Sequence, residues 1–376
     1  MARVHADPSL LEVRRFFLGP FESAAPEIEA SDRVPERLLR EAAQLGVHGL
    51  SVPLDHGGFG LTLSQIEPYL EAAAQGPGCG RMLVHLSNGI WRPVLRYGNA
   101  AQQALVQEMA SGQITVAFAL TEPEGGSGRD LHSRATRIGD HWELSGRKHL
   151  VTFGDRAEWF LLTAASDERR AADSLTSFLL PRETPGLAIE ADQHTMGLKG
   201  TGHARLAYDR VRVRDACRLG EVGQGLEVAL SFLDYSRISL SICMVGLARR
   251  ALDEAIAYAR RRVTFGRPIA ERESIRSLLA EMHADVAAAH ALVVEAATAF
   301  DRGDPITTVA ATCKLFCLEM VGRVTDRALR IHGGFGYTTD AAIERIYRDA
   351  RGFWFEEGTA EIQRLVIARG VLGERA

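Results

Sequence analysis

Arg348-Asp349-Ala350-Arg351-Gly352-Phe353-Trp354-Phe355-Glu356-Glu357-Gly358-Thr359-Ala360-Glu361-Ile362-Gln363-Arg364 runs three aromatic side chains straight into two carboxylates, then into glycine, threonine and the start of a helix. Thr359 is of the type that caps helix N-termini, and Glu361 falls in the first turn, where the helix dipole favours negative charge. The glutamates therefore sit on a short connection that follows an apolar segment. A carboxylate buried there gains proton affinity, as a general base working near neutral pH requires. The same pattern also suits a plain polar link between two helices, so its meaning depends on the rest of the chain.

Upstream of this stretch the apolar spacing is helical over long distances. From Leu226 to Arg262 there is no proline, which predicts a helix about 55 Å long. Thr264-Phe265-Gly266-Arg267-Pro268 stops it. A second long helix carries Leu278, Met282, Val286, Ala289, Val293, Ala297 and Phe300 on one face, and a third spans about 306–331 before His332-Gly333-Gly334-Phe335-Gly336. Helices of this kind pack as a four-helix bundle, with more apolar surface than one subunit covers. At the other end, residues 9 to about 111 also read as helical, with segments over 35–45, 62–75, 82–97 and 100–110. Between them the period changes to that of strands: Ile114–Thr121, Arg134–Ile138, His141–Ser145, Lys148–Thr152, Trp159–Ala164, Ser174–Leu180 and Ala204–Val213. Gly139-Asp140 marks a hairpin. The fold class is mixed α and β: an N-terminal helical domain over 1–112, a central β domain over 113–222 and a C-terminal helical bundle over 223–376.

Composition narrows the function. The chain has 376 residues and a net charge of −4, with no basic stripe, so nucleic acid is not an expected partner. No uninterrupted apolar run reaches bilayer length and the N-terminus has no signal-like apolar core, which predicts a cytoplasmic protein that does not enter a membrane. Five scattered cysteines argue against a disulfide framework. Cys313 and Cys317 lie on one apolar stripe with Met320, Val324, Ala328 and Ile331 and read as core. Among twelve histidines no metal motif occurs. His-Gly-Gly-Phe-Gly appears at 56–60 and at 332–336 with unrelated flanks, so it is no repeat.

Four local patterns accompany this order of elements: Ala119-Leu120-Thr121-Glu122-Pro123-Glu124-Gly125-Gly126-Ser127, Gly146-Arg147-Lys148-His149-Leu150-Val151-Thr152, Arg262-Val263-Thr264-Phe265-Gly266, and Glu357-Gly358-Thr359 with Glu361-Ile362-Gln363-Arg364. Together, and in this order, they resemble the acyl-CoA dehydrogenase family over about residues 35–370. The resemblance implies bound FAD, an acyl thioester substrate carried by CoA or by a carrier protein, an electron-transfer flavoprotein as electron acceptor, and a homotetramer or homodimer. It implies that Phe118, Leu120, Thr121, Gly126, Ser127, Leu150 and Thr152 surround the flavin ring, with Ser127 also at the substrate. Arg262, Thr264, Phe265, Arg330, Gly333 and Gly334 would reach the FAD of a neighbouring subunit, and Thr359 and Glu361 would lie on the cofactor side. Asp234, Arg237, Glu356 and Gly358 would border the substrate. Glu357 would be the base that removes the α-proton. The apolar neighbours Phe353, Trp354 and Phe355 would raise its pKa.

Some positions depart from the family pattern. Leu150 stands where tryptophan is frequent, Phe118 where tyrosine is common, Gly128 in place of aspartate, and Arg330 in place of glutamine. Glu356 replaces an aromatic or aliphatic residue, where it would raise the proton affinity of its neighbour or bind a polar acyl group. These changes leave open a dehydrogenase of carrier-tethered acyl or aminoacyl groups, and a flavin oxidase or monooxygenase on the same scaffold.

Overall fold

Two large apolar clusters, one between helices and one inside a sheet, organise the chain. The computed structural model describes residues 7–124, 131–167, 172–190 and 193–373. The chain opens with α1 (Leu10–Phe16), α2 (Ala25–Ser31), α3 (Glu36–Gln44), α4 (Leu63–Ala74), α5 (Gly78–Tyr97) and α6 (Ala100–Ser111). Helices α4 and α6 begin with reciprocal caps, Thr62 with Gln65 and Asn99 with Gln102. Pro35 occupies the N-cap of α3, one position before the first turn, so its fixed φ sets the helix entry without interrupting a hydrogen bond.

The strands follow: β1 (Val116–Ala119), β2 (Arg134–Ile138), β3 (His141–Val151), β4 (Trp159–Ala165), β5 (Leu175–Pro181), β6 (Leu187–Glu190), β7 (Ala204–Arg214) and β8 (Arg218–Leu219). Their order is β6-β7-β3-β2-β4-β5-β8, with β1 parallel to β4. The segments at 141–145 and 148–152, expected as two strands, are one strand. Gly146, at φ +158, lets it pass Ser133, which any Cβ would strike at 2.3 Å, and two register shifts against β7 absorb the bend. Strand β6 escaped the sequence reading because Leu187-Ala188-Ile189-Glu190 is four residues long at a sheet edge.

The third section is α7 (Gly225–Arg261), a small hairpin of β9 (Val263–Thr264) and β10 (Arg267–Pro268), α8 (Glu273–Asp301), α9 (Thr307–His332), α10 (Ala342–Gly352) and α11 (Ala360–Leu372). Cys313 and Cys317 are buried in the core, on the stripe the periodicity assigned. Asp301, at the end of α8, accepts the first N–H groups of α4 from Leu63 and Ser64 at 2.8 and 2.9 Å and so ties the bundle to the N-terminal helices.

By length and mean hydropathy, α7 and α8 are each apolar enough to cross a membrane, against the expectation from uninterrupted runs, because scattered charges break the runs without lowering the average far. In α7, 78% of that stretch is buried in this chain, which makes it a core helix. In α8 only 22% is buried, and the exposed face carries small residues such as Ala280, Ala284, Ala287, Ala291 and Val294.

Helices α4 and α7 cross at Gly246, where a Cβ would lie 2.5 Å from the Glu71 carbonyl oxygen and 2.8 Å from its Cα. Neither backbone atom can move without shifting a helix. Gly246→Val is therefore expected to destabilise the protein by about 2–3 kcal/mol through overpacking, measured as a lowered midpoint in chemical denaturation.

Candidate active site

Helix α7 is the wall along which the site is built. Near its start, Ala229 packs in one apolar cluster with Leu120 and Phe118. One turn on, the Phe232 ring meets the Phe118 ring edge-on at 5.5 Å. A further turn brings Ser236, whose hydroxyl lies beside the Glu357 carboxylate and lowers its proton affinity. The β domain and the acidic turn are thus joined through consecutive turns of one helix.

On the β side, the backbone brings the first two motifs together: the His149 N–H donates to the Thr121 carbonyl at 3.0 Å. Below this contact Lys148, fully buried, donates to the Leu120 carbonyl at 2.9 Å and to Glu122 at 2.6 Å. Glu122 also accepts from the backbone N–H groups of His132 and Ser133. Burial raises the Glu122 carboxyl, but Lys148 and these bonds outweigh it and hold it below its ordinary value. Burial pushes Lys148 down to about 8, against the pull of Glu122. The pair pins the Thr-Glu-Pro-Glu turn to β3. Leu150 is 42% exposed in left-handed backbone at φ +52, and Phe118, Thr121 and Thr152 are half-buried. An apolar side chain held at a strained turn beside a half-open face suits a planar ring stacked there. Gly126, Ser127 and Gly128 lie outside the described residues.

The acidic turn is shaped from three helices. Glu357 has φ +52 and Gly358 φ +90, so the chain reverses side at the glutamates. Glu356 turns to Arg81 of α5, which grips it with both terminal nitrogens at 2.6 and 2.9 Å. Arg81 is fully buried and lies 3.8 Å from the centre of the Phe353 ring. Burial raises the Glu356 carboxyl, but the Arg81 charge outweighs it and keeps it below its ordinary value. Glu356 is therefore a committed carboxylate, not a free counter-charge for a polar acyl group. Glu357 turns the other way, toward Ser236. Burial raises its carboxyl to about 6, Lys314 and the Ser236 hydroxyl pull it back, and Glu356 pushes it up.

A serine hydroxyl has one proton. Given to Glu357, it leaves the Ser236 oxygen to accept from His85 Nε2–H at 3.1 Å, while His85 Nδ1 faces the Ser239 hydroxyl at 2.8 Å. Burial drives the His85 pKa down to about 3, so the ring is a neutral relay of hydrogen bonds. Asp234 and Arg237 form a pair at 2.8 Å on the next face of α7, and Asp234 also accepts from Thr307 at 2.9 Å.

Not every expectation holds. Of the aromatic triplet only Phe353 is buried; Trp354 packs at Gly322 and Phe355 is 75% exposed, so the raised pKa of Glu357 owes nothing to Phe355. Thr359 stands at the N-cap of α11 but its side chain makes no cap bond there; Thr359 and Glu361 are both exposed beside the acidic turn. Arg262, Thr264, Phe265, Arg330, Gly333 and Gly334 gather at the far end of α7, about 45 Å of helix from Phe232. Phe265 is 94% exposed beside Arg272, Arg330 pairs with Asp326 at 3.7 Å, and a Cβ on Gly333 or Gly334 would meet no atom of the described residues within 4 Å. Within one chain the two groups of residues do not meet.

Three family models match in chain order: the acyl-CoA dehydrogenase N-terminal domain at residues 10–113, the middle domain at 117–211 and the C-terminal domain at 223–372. The chain belongs to the acyl-CoA dehydrogenase family. This acyl-CoA dehydrogenase homologue is 34% identical over 96% of both chains to an acyl-CoA dehydrogenase of Bacillus subtilis. It is 33% identical to an acryloyl-CoA reductase (NADH) of Anaerotignum propionicum, covering 96% of this chain and 92% of that one. Its fold matches the butyryl-CoA dehydrogenase of Megasphaera elsdenii with a TM-score of 0.92 at 28% identity, over 99% of this chain and 100% of the other. The acyl-CoA dehydrogenase homologue is thus an oxidoreductase that uses FAD.

Sequence reasoning passed over Arg81, His85, Ser236, Lys314, Glu122 and Lys148 as site residues. The signal for Lys314 was a lone charge in the apolar run Val309–Leu318, and Glu122 and Lys148 stood inside the quoted motifs. Breaking the Glu122–Lys148 pair leaves a buried lysine without its counter-charge. Glu122→Gln is expected to cost about 3 kcal/mol and to lower the FAD content of the purified protein, measured by thermal denaturation and by the flavin-to-protein absorbance ratio.

Proposed function

We propose that this enzyme introduces the α,β double bond into an acyl-CoA thioester, with Glu357 as the base. The observation that supports this most is the division of the acidic pair: one carboxylate is locked to Arg81, and its neighbour is half-buried, pairs with no arginine among the described residues, and is raised to about 6. A base of that kind is ionised at neutral pH yet holds a proton strongly enough to take one from carbon next to a thioester carbonyl. When bound, FAD supplies the two-electron acceptor for the hydride from Cβ.

The chain's own residues bind, orient and move the proton. Phe118, Leu120, Thr121, Leu150 and Thr152 form the face for the flavin ring. Ser236 and the left-handed backbone aim the Glu357 carboxylate, and the Glu357 N–H is the donor for the thioester carbonyl, where negative charge grows as the proton leaves. Arg237, paired with Asp234, borders this end of the pocket. The α-proton passes to Glu357, the Cβ hydrogen leaves with its electron pair, and the C–C double bond forms.

The distance along α7 supports a homo-oligomer. Arg262, Thr264, Phe265, Arg330, Gly333 and Gly334 serve the FAD held by a second copy, whose pyrophosphate suits an arginine and open glycine backbone. The small-residue face of α8 supports the same reading, since it allows close helix approach. An electron-transfer flavoprotein is the proposed electron acceptor.

Glu357→Gln is expected to retain FAD and bind thioester but to lose anaerobic flavin bleaching by several orders of magnitude. In the wild type the bleaching rate depends on ionised Glu357, so it is expected to fall as pH drops through about 6. Stopped-flow reduction across pH measures both, and a Glu357→Gln enzyme reducing flavin at the normal rate contradicts the assignment.

A further inference from the structure

We infer that Lys314 is the positioning residue of the base: through two backbone carbonyls it fixes the turn that aims Glu357, and it sets a positive charge beside that carboxylate. The inference rests on Glu357 being the base.

Lys314 lies in the third turn of α9 and is fully buried. Its ammonium group makes no ion pair with a carboxylate among the described residues. It donates instead to the Glu356 carbonyl and, at 2.6 Å, to the Gly358 carbonyl. These flank the Glu357 residue on both sides. The remaining carbonyl, of Glu357 itself, accepts from Gln363 Nε2 at 3.2 Å, and the same nitrogen reaches the Gly358 carbonyl at 3.1 Å. Gln363 is also fully buried, on α11. Three successive carbonyls are therefore held by two buried side chains from two helices. A glutamate held in left-handed backbone, as Glu357 is, stores strain and persists only when its surroundings over-determine it. Lys314 and Gln363 supply that constraint.

A buried ammonium group is costly, and a neutral donor would satisfy the carbonyls equally. What a lysine adds is charge. The groups that face Glu357 are Lys314 from α9, Arg237 and the Ser236 hydroxyl from α7, and Glu356 from the turn, with Arg81 and His85 of α5 behind Glu356 and Ser236. Arg81 is spent on Glu356 and Arg237 on Asp234. Lys314 is the cation that acts most strongly on Glu357, and it opposes both the burial and the Glu356 charge that raise the base.

The test compares Lys314→Met, Lys314→Gln and Glu357→Gln with the wild type, in the full-length protein loaded with FAD. Lys314→Met removes charge and donor; Lys314→Gln keeps one donor for the carbonyls and serves alone if the Met variant does not fold. The expected result is retained flavin absorbance, bleaching slowed about 100-fold in the Met variant through misplacement of the base, and a smaller loss in the Gln variant. In both, the acid limb of the rate moves to higher pH, because removing a nearby positive charge raises the pKa of a carboxyl. A purely structural lysine would lower yield or FAD content without moving the limb. Wild-type rates with an unmoved limb in either variant overturn the inference while leaving the base assignment intact. Normal bleaching by Glu357→Gln would instead remove the base on which it rests.

Discussion

Two adjacent glutamates in a half-buried site repel one another and lose solvation together, and the fold around residues 353–363 is arranged to meet both costs. One carboxylate is given a full counter-charge in bidentate geometry by Arg81. The other receives a hydroxyl and a cation that binds backbone instead of carboxylate. The difference in partners separates their proton affinities, so that one carboxylate is fixed as an anion and the other keeps a proton affinity suited to chemistry. Three helices have to converge for this: α5 brings Arg81 and His85, α7 brings Ser236, and α9 brings Lys314. Helix α7 carries both the apolar contact with β1 and the polar contact with the base, on consecutive turns.

Much of the architecture was legible from residue patterns. The proline-free segment before Arg262 spans a single helix from Gly225 to Arg261, and the strands begin and end close to where alternation and turn residues placed them. The misses have local causes. Strand β3 read as two because Gly146 interrupts the pattern, although that glycine is what lets the strand continue past Ser133. Strand β6 is too short to show a period.

The site was less legible, for a different reason. The motif residues announce themselves by neighbours in sequence, whereas their partners come from far away: Arg81 and Glu356 are 275 positions apart, and His85 and Ser236 are 151 apart. No local pattern distinguishes Arg81 from a surface arginine, and the lone charge of Lys314 in an apolar run does not say which groups it faces. Only the packing shows that both are buried, and only their partners show which glutamate is held and which is free. Proximity alone also misled in one place, since Phe355 adjoins the acidic pair in sequence and points away from it.

The division of labour between the two glutamates is tested most directly by proton abstraction itself, apart from electron transfer. Acyl-CoA thioester bound in D₂O to enzyme whose flavin is already reduced exchanges its α-hydrogen only if a base removes it, and mass spectrometry reads the deuterium gained. Exchange that persists in Glu356→Gln and is lost in Glu357→Gln is the result predicted here. Exchange that survives in Glu357→Gln and disappears in Glu356→Gln would contradict it.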